Sequence, residues 1–453
     1  MVKIKTVITR ALSFISALTI VLSLTVSCAP KPSDVFKSDA DAWFKDFNEL
    51  HKAVKSEDAY EYSKTGSVAV QKPKISAVSA DTAVSEYYEK LKNEFRLRSK
   101  TEQDKLLISF KAYKASEDIT GLEVTSFETL EGVQTKNLKT FNFDESGLIE
   151  TDELLSRLTL INAKDELMAS EQYKSAVDKE KLKKSRDYQL LYTDSGINVL
   201  YAKGAVASDD IGEICAAVPY SKLRYALPES IKKNVPEDKS VRTVDITKKL
   251  VALTFDDGPN KTYTNDILDT LEAYGCVATF FDVGNVISSA PDVMKRASDM
   301  GCEMGSHSWS HKNLKTASVD KIKEEISKTD AKFEEVLGYK PKLLRPPYGA
   351  VGSDLKANCS EYLIGWSVDT LDWKYRDKDK VVASVKNEGN LDGDVILMHS
   401  LYKSTADAVR ELVPWLIEND YQLVTVSELM KYKYDTDMEP GKYYTGNFFK
   451  ADK

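Results

Sequence analysis

From residue 247 to about residue 430, short apolar runs alternate with amphipathic helical segments, and that alternation admits few folds. Runs at 250–255, 277–283, 303–306, 343–344, 362–368, 395–398 and 423–426 read as strands. Between them Ile267, Leu268 and Leu271, then Val293, Met294, Ala297 and Met300, then Ile322, Ile326, Phe333 and Leu337 recur at helical spacing. Pro291 opens the second of these helices, and Gly275 and Gly301 close the first two. A further helix at 408–417 is expected to kink at Pro414. Strands separated by helices run parallel, because each helix carries the chain back across the sheet. About seven such units predict an α/β fold, a distorted (β/α) barrel over residues 247–435, with 436–453 as a C-terminal tail.

Residues 66–227 predict a smaller α+β domain ahead of the barrel. Val84, Tyr87, Tyr88, Leu91 and Phe95 mark a helix over 83–97. Leu106, Ile108, Phe110 and Ala112 alternate as in a half-buried strand, and residues 188–192 and 197–201 flank a turn at Gly196 as a hairpin. Residues 228–246, with Pro228, Pro236 and many charges, read as a linker.

The N-terminus reads as a processing segment. Lys3, Lys5 and Arg10 precede an apolar stretch from 11 to 26. Leu24-Thr25-Val26-Ser27-Cys28 then resembles a bacterial lipobox, so residues 1–28 are expected to be a lipoprotein-type signal, with a lipid on Cys28 and residues 29–65 as a tether. An uncleaved N-terminal helix is the alternative; both place the rest of the chain outside the cytoplasmic membrane, and the lipidated reading anchors it to the outer face. Export permits disulfides. For Cys276 and Cys302, at the starts of two predicted strands, either a bridge or two buried thiols fits; Cys215 and Cys359 carry no reading. No CxxC or CxC spacing supports a cysteine metal site. The formal net charge of −8 and the lack of a basic stripe exclude nucleic acid as partner.

The polar residues fall where a barrel would use them. Reactive side chains follow strand after strand at the C-terminal ends, and those ends share one face. His307-Ser308-Trp309-Ser310-His311 places two imidazoles four apart, on one side of a helical turn if that segment is helical. The chain has 4 histidines, and all but His51 follow a predicted barrel strand. Asp256-Asp257-Gly258-Pro259 places two carboxylates at a strand end before a sharp turn. One can join the imidazoles on a divalent metal while the other takes a proton from water, a donor set that suits hydrolytic zinc. Taken singly, each motif has a plainer reading: surface or capping histidines, turn or cap aspartates.

Together the motifs resemble the polysaccharide deacetylase family, the NodB-homology domain of carbohydrate esterase family four, over roughly residues 247–430. They are residues 254–259, residues 307–311, Arg345-Pro346-Pro347-Tyr348-Gly349, Asp369-Thr370-Leu371-Asp372-Trp373 and Leu397-Met398-His399. The resemblance implies that Asp257, His307 and His311 bind the metal, zinc by expectation, with cobalt or nickel able to stand in. It implies Asp256 as general base, His399 as general acid, Asp372 keeping His399 charged, and Arg345 orienting Asp256. Tyr348 would offer its backbone N–H to the oxyanion, while Trp373, Leu397 and Pro347 shape the substrate pocket. Arg345 could instead be a surface residue at a stiff turn, Trp373 and Leu397 plain core, and Asp372 a helix cap. Residues 66–227 resemble the RsiV-like domain that precedes some peptidoglycan deacetylases, through Phe141-Asn142-Phe143, Leu154-Leu155, the Gly196 hairpin and the Val218-to-Leu223 segment. The implied reaction is N-deacetylation of a cell-wall glycan, with peptidoglycan N-acetylglucosamine favoured. O-acetyl esters of xylan, or chitin-type and exopolysaccharide chains, are alternative substrates for the same site. A non-catalytic, glycan- or protein-binding surface protein is the competing class; no ligand or base is missing to support it.

Overall fold

The computed structural model describes residues 60–65, 67–208, 211–235 and 243–449, which form two compact units divided between Val241 and Arg242. The signal segment, Cys28 and most of the expected tether lie outside the described residues. Among the described residues no helix is long and apolar enough to cross a membrane.

The first unit holds a six-stranded sheet, β1 (Tyr60–Thr65), β2 (Val68–Pro73), β3 (Lys105–Lys114), β4 (Thr120–Leu130), β5 (Val133–Asp144) and β6 (Gly147–Leu148), in sequence order. Only β2 and β3 pair in parallel, because the helix Val78–Arg98 crosses between them. That helix buries Val84, Tyr88, Leu91 and Phe95 against Leu106, Ile108, Leu122 and Val124, which confirms the spacing seen in the sequence. The expected tether overruns the domain edge: Tyr60–Thr65 pairs antiparallel with Val68–Pro73. A second sheet joins β7 (Tyr188–Tyr192), β8 (Gly196–Tyr201) and β9 (Ile214–Pro219), all antiparallel. The Asn142 side chain links the two sheets, donating to Leu190 O at 2.9 Å and accepting from Tyr192 N at 2.9 Å. The expected linker is partly folded as well. Glu229–Lys232 is a helical turn with Ile231 buried, and Val244 packs into the second unit's core.

The second unit is a parallel sheet of nine strands that curls into a distorted barrel. It comprises β10 (Lys249–Asp256), β11 (Thr279–Asp282), β12 (Glu303–Ser306), β13 (Leu343–Leu344), β14 (Tyr362–Ile364), β15 (Val368–Asp369), β16 (Val395–His399), β17 (Tyr421–Leu423) and β18 (Tyr443–Tyr444). The order is β15-β16-β10-β11-β12-β13-β14-β18, with β17 on the other end of β10. Strand β10 is buried on both faces, as a parallel strand covered by helices must be. Val251, Leu253 and Phe255 face the helix bearing Ile267, Leu268 and Leu271. Leu250 and Ala252 alternate with them and face Phe281, Leu343 and Ile364 inside the curl. Phe255 stacks on Phe280 with ring centroids 5.2 Å apart and is fully buried. Phe255→Ala is therefore expected to cost about 3–5 kcal/mol of stability, read as a shift in a urea unfolding curve.

The strand count exceeds the expectation for two reasons. The run 362–368 breaks at Gly365-Trp366-Ser367 into β14 and β15. The expected C-terminal tail instead adds β18 beside β14, and Tyr444 and Phe449 enter the core. At 423–426 the strand stops at Leu423. Thr425 and Glu428 form a capping box that starts the helix Val426–Tyr432. The helix Lys403–Glu418 runs through Pro414. Cys276, Cys302 and Cys359 remain thiols, so the bridge between Cys276 and Cys302 is not made.

Candidate metal centre and acid–base groups

Strand β10 delivers the first carboxylates. Asp256 ends the strand on its inner face, and Asp257 follows in the left-handed region, φ 67°. That conformation is costly for a residue with a Cβ and marks a turn held by its surroundings. Gly258 is required beside it. A Cβ there would lie 2.6 Å from Ser400 Oγ and 2.7 Å from Asp282 Oδ1.

His307 follows β12 and is almost fully buried. Its Nδ1 lies 2.7 Å from the carbonyl of Arg345, an acceptor, so Nδ1 carries the proton and Nε2 presents a lone pair. Burial pushes its pKa down, against the charges of Asp256 and Asp257, which suits a neutral ligand. The segment to His311 is not a helical turn, contrary to the expectation from the spacing. Ser308 and His311 both have left-handed backbone, φ 64° and 55°. Glu325 accepts from Ser310 N and Ser310 Oγ, each at 2.7 Å, and Gly284 N donates to Ser308 O, so the loop is pinned from two sides. The two rings still converge, with centroids 5.0 Å apart.

Asp257 Oδ1 lies 3.5 Å from His307 Nε2 and 3.3 Å from His311 Nε2. Ligand atoms in a tetrahedral zinc site are separated by about 3.3 Å, given bonds of about 2.0–2.1 Å. One carboxylate and two imidazole nitrogens therefore fit a divalent metal in both geometry and donor chemistry. Asp257, His307 and His311 are the one such cluster among the described residues.

Arg345 follows β13 and is fully buried, not at the surface. Its guanidinium donates to Asp256 Oδ1 at 2.8 Å, Thr254 Oγ1 at 2.7 Å and Gly365 O at 2.8 Å. The Phe281 ring covers it at 4.2 Å. A charge buried this deeply persists only when paired and bonded in this way. The other Asp256 oxygen, Oδ2, lies 3.6 Å from His307 Nε2. Pro347 is buried, whereas Tyr348 is 67% exposed, with φ 63° and its hydroxyl 3.1 Å from His311 Nδ1.

His399 ends β16, which pairs with β10 so that His399 faces Asp256 across the ladder. Its Nδ1 and its backbone N both contact Asp372, at 2.8 Å each. Thr405 Oγ1 and Trp373 N also donate to that carboxylate. Burial drags the His399 pKa down, but the Asp372 bond and charge, with Asp256 and Asp257 beyond, outweigh it and raise the net value. Leu397 is buried in β16, as its strand position predicts, and Trp373 is 47% exposed rather than core.

Three supporting residues escaped the sequence reading. Thr405, in the helix Lys403–Glu418, bonds Asp372 and left no signal in the sequence. Glu325 interrupts the apolar stripe of Ile322, Ile326 and Phe333, and that interruption was the available signal. Glu325→Gln is expected to loosen the His311 loop and weaken zinc binding about tenfold, measured by competition with a chromophoric chelator. Asp282 ends β11 just as Asp256 ends β10. Burial and then the Asp256 charge push its carboxyl up to about 8, so it is largely neutral there.

Parallel strands curling round a carboxylate–imidazole cluster, with Asp256 held by Arg345 and His399 held by Asp372 beside it, are an arrangement suited to a hydrolase that works with a bound metal. The profile of the polysaccharide deacetylase family matches residues 243–362. The peptidoglycan-N-acetylmuramic acid deacetylase PdaC of Bacillus subtilis is 32% identical over 406 residues, 82% of this chain and 86% of that enzyme. The chain belongs to the polysaccharide deacetylase family, and that match is long enough to reach into the first unit. The peptidoglycan-N-acetylglucosamine deacetylase PgdA of Listeria monocytogenes is 39% identical over 221 residues, 49% of this chain and 45% of that enzyme. A bifunctional xylanase/deacetylase of Pseudobutyrivibrio xylanivorans is 35% identical over 194 residues, 41% of this chain and 31% of that enzyme.

Proposed function

We propose that this enzyme hydrolyses N-acetyl groups of peptidoglycan, N-acetylglucosamine foremost, releasing acetate and leaving a free amine. The observation that carries the reading is the pairing of two opposed proton carriers on neighbouring strands, Asp256 fixed by Arg345 and His399 fixed by Asp372, beside one candidate metal site. The metal, zinc by donor set and with cobalt or nickel able to replace it, would supply Lewis acidity and a lowered pKa for water. Asp257, His307 and His311 would hold it. Asp256 takes a proton from the attacking water through Oδ2, since Oδ1 is committed to Arg345. Water oxygen bonds the acyl carbon, and the Tyr348 N–H is assigned to the developing oxyanion. His399 donates a proton from Nε2 to the leaving amine as the C–N bond breaks. Trp373, Leu397 and Pro347 shape the pocket around sugar and methyl.

Relatives named for peptidoglycan deacetylation support the substrate, and the lipobox-like segment supports a place beside the wall, with Cys28 as the lipid anchor on the outer face of the membrane. On this reading residues from Tyr60 to the linker form an RsiV-like spacer or wall-binding domain. Purified protein incubated with wall glycan is expected to release acetate and free amino sugar, and a chelator is expected to stop it. Acetate release from acetylated xylan but not from wall glycan would overturn the substrate, and release from neither would overturn the activity.

A further inference from the structure

We propose that Arg376, stacked on Tyr402 beside His399, forms an anion-accepting subsite that binds a carboxylate of the wall glycan next to the reacting sugar. The proposal rests on the deacetylase reading and deepens it by naming a charged feature the substrate must carry.

The Arg376 guanidinium lies 4.7 Å over the Tyr402 ring, and that ring is 6.3 Å from the His399 ring. A cation–π contact holds the guanidinium in place without neutralising it, and leaves its N–H edge open to an acceptor. The backbone fixes it further. Arg376 has φ 48° and its N–H donates to the carbonyl of Asp372, whose carboxylate grips His399. The backbone that carries the guanidinium and the imidazole of His399 are therefore both tied to Asp372.

Arg376 is exposed, and among the described residues no carboxylate pairs with it. The nearest acids in sequence are occupied. Asp377 caps the following helix by accepting from Lys380 N, and Asp379 pairs with Lys378. An unpaired, pre-oriented guanidinium at an active-site rim suits a carboxylate. Beside it, exposed Trp373 offers a flat face for a sugar ring. A neutral chitin-type chain gives the guanidinium no charge to meet. Wall glycan does, through the lactyl ether of its alternate sugars or through the carboxylates of its stem peptides.

The test uses the full-length protein and three probes: a neutral N-acetylglucosamine oligomer, wall glycan oligomers stripped of peptide, and the same oligomers with peptides attached. For Arg376→Gln the ratio of kcat/KM on the carboxylated probes to that on the neutral probe is expected to fall about tenfold, with Arg376→Lys recovering part of it. A fall on peptide-free glycan assigns the lactyl carboxylate. A fall confined to peptide-bearing glycan assigns the stem peptide. An unchanged ratio overturns the proposal. Binding of the same probes, read by calorimetry at low and high salt, reports on the subsite even without turnover. Wild-type inactivity on every probe would sink the deacetylase reading, whereas equal affinity of wild type and Arg376→Gln for carboxylated glycan would sink the subsite alone.

Discussion

Asp256→Asn is expected to lower kcat on acetylated glycan about 10²–10⁴-fold while zinc still binds. The amide keeps the shape and can still accept from Arg345, but it cannot take a proton at the atom facing His307. The separation between lost turnover and kept metal is the informative part, because Asp257, His307 and His311 make the candidate cluster without Asp256. Metal content of the purified variant and its acetate release, measured on one preparation, check both halves. A parallel melt is needed. Arg345 is fully buried, and removing its counter-charge leaves a cation that costs up to about 3–5 kcal/mol. A variant that melts normally, binds zinc and keeps wild-type kcat would remove Asp256 from the role of base.

The second large effect belongs to Asp372. Asp372→Asn is expected to reduce kcat about 10²-fold and to move the alkaline limb of the kcat/KM profile to lower pH. The sign follows from the balance at His399. Burial lowers its pKa, and the Asp372 bond and charge lead the groups that raise it overall. Neutralising Asp372 leaves burial less opposed, so the imidazole loses its proton at lower pH and the acid form disappears sooner. The same raised pKa is a stability contribution. It is fully present below the unfolded histidine value of about 6.5 and is lost as pH rises through the folded value. Thermal melts across that window should converge for wild type and variant on the alkaline side. Unmoved limbs in the variant would place the proton donor elsewhere.

Much of the site was legible because a parallel barrel converts linear order into convergence. A polar residue just past an apolar run must lie on one face, so the linear order alone groups Asp256, His307, Arg345, Asp369 and His399. The spacing of the two histidines misled. An HxxxH pair suggests a helix, but Ser308 and His311 take left-handed backbone in a loop, and Glu325 imposes it from a helix 15 residues away. Strand ends were hard to place for the same kind of reason. Val426 looks like strand by composition, yet the Thr425–Glu428 capping box turns it into helix.

What the sequence determined by itself is what local chemistry dictates: alternation of strands and helices, which side chains can bind metal or carry protons, and which strand ends bear them. What only the tertiary structure decided is contact between distant segments. That Arg345 is buried against Asp256, that Thr405 bonds Asp372, that Tyr443–Tyr444 completes the sheet and that Arg376 rests on Tyr402 all depend on packing across the fold. Periodicity reports which face of an element is buried, but carries no record of which distant partner will cover it.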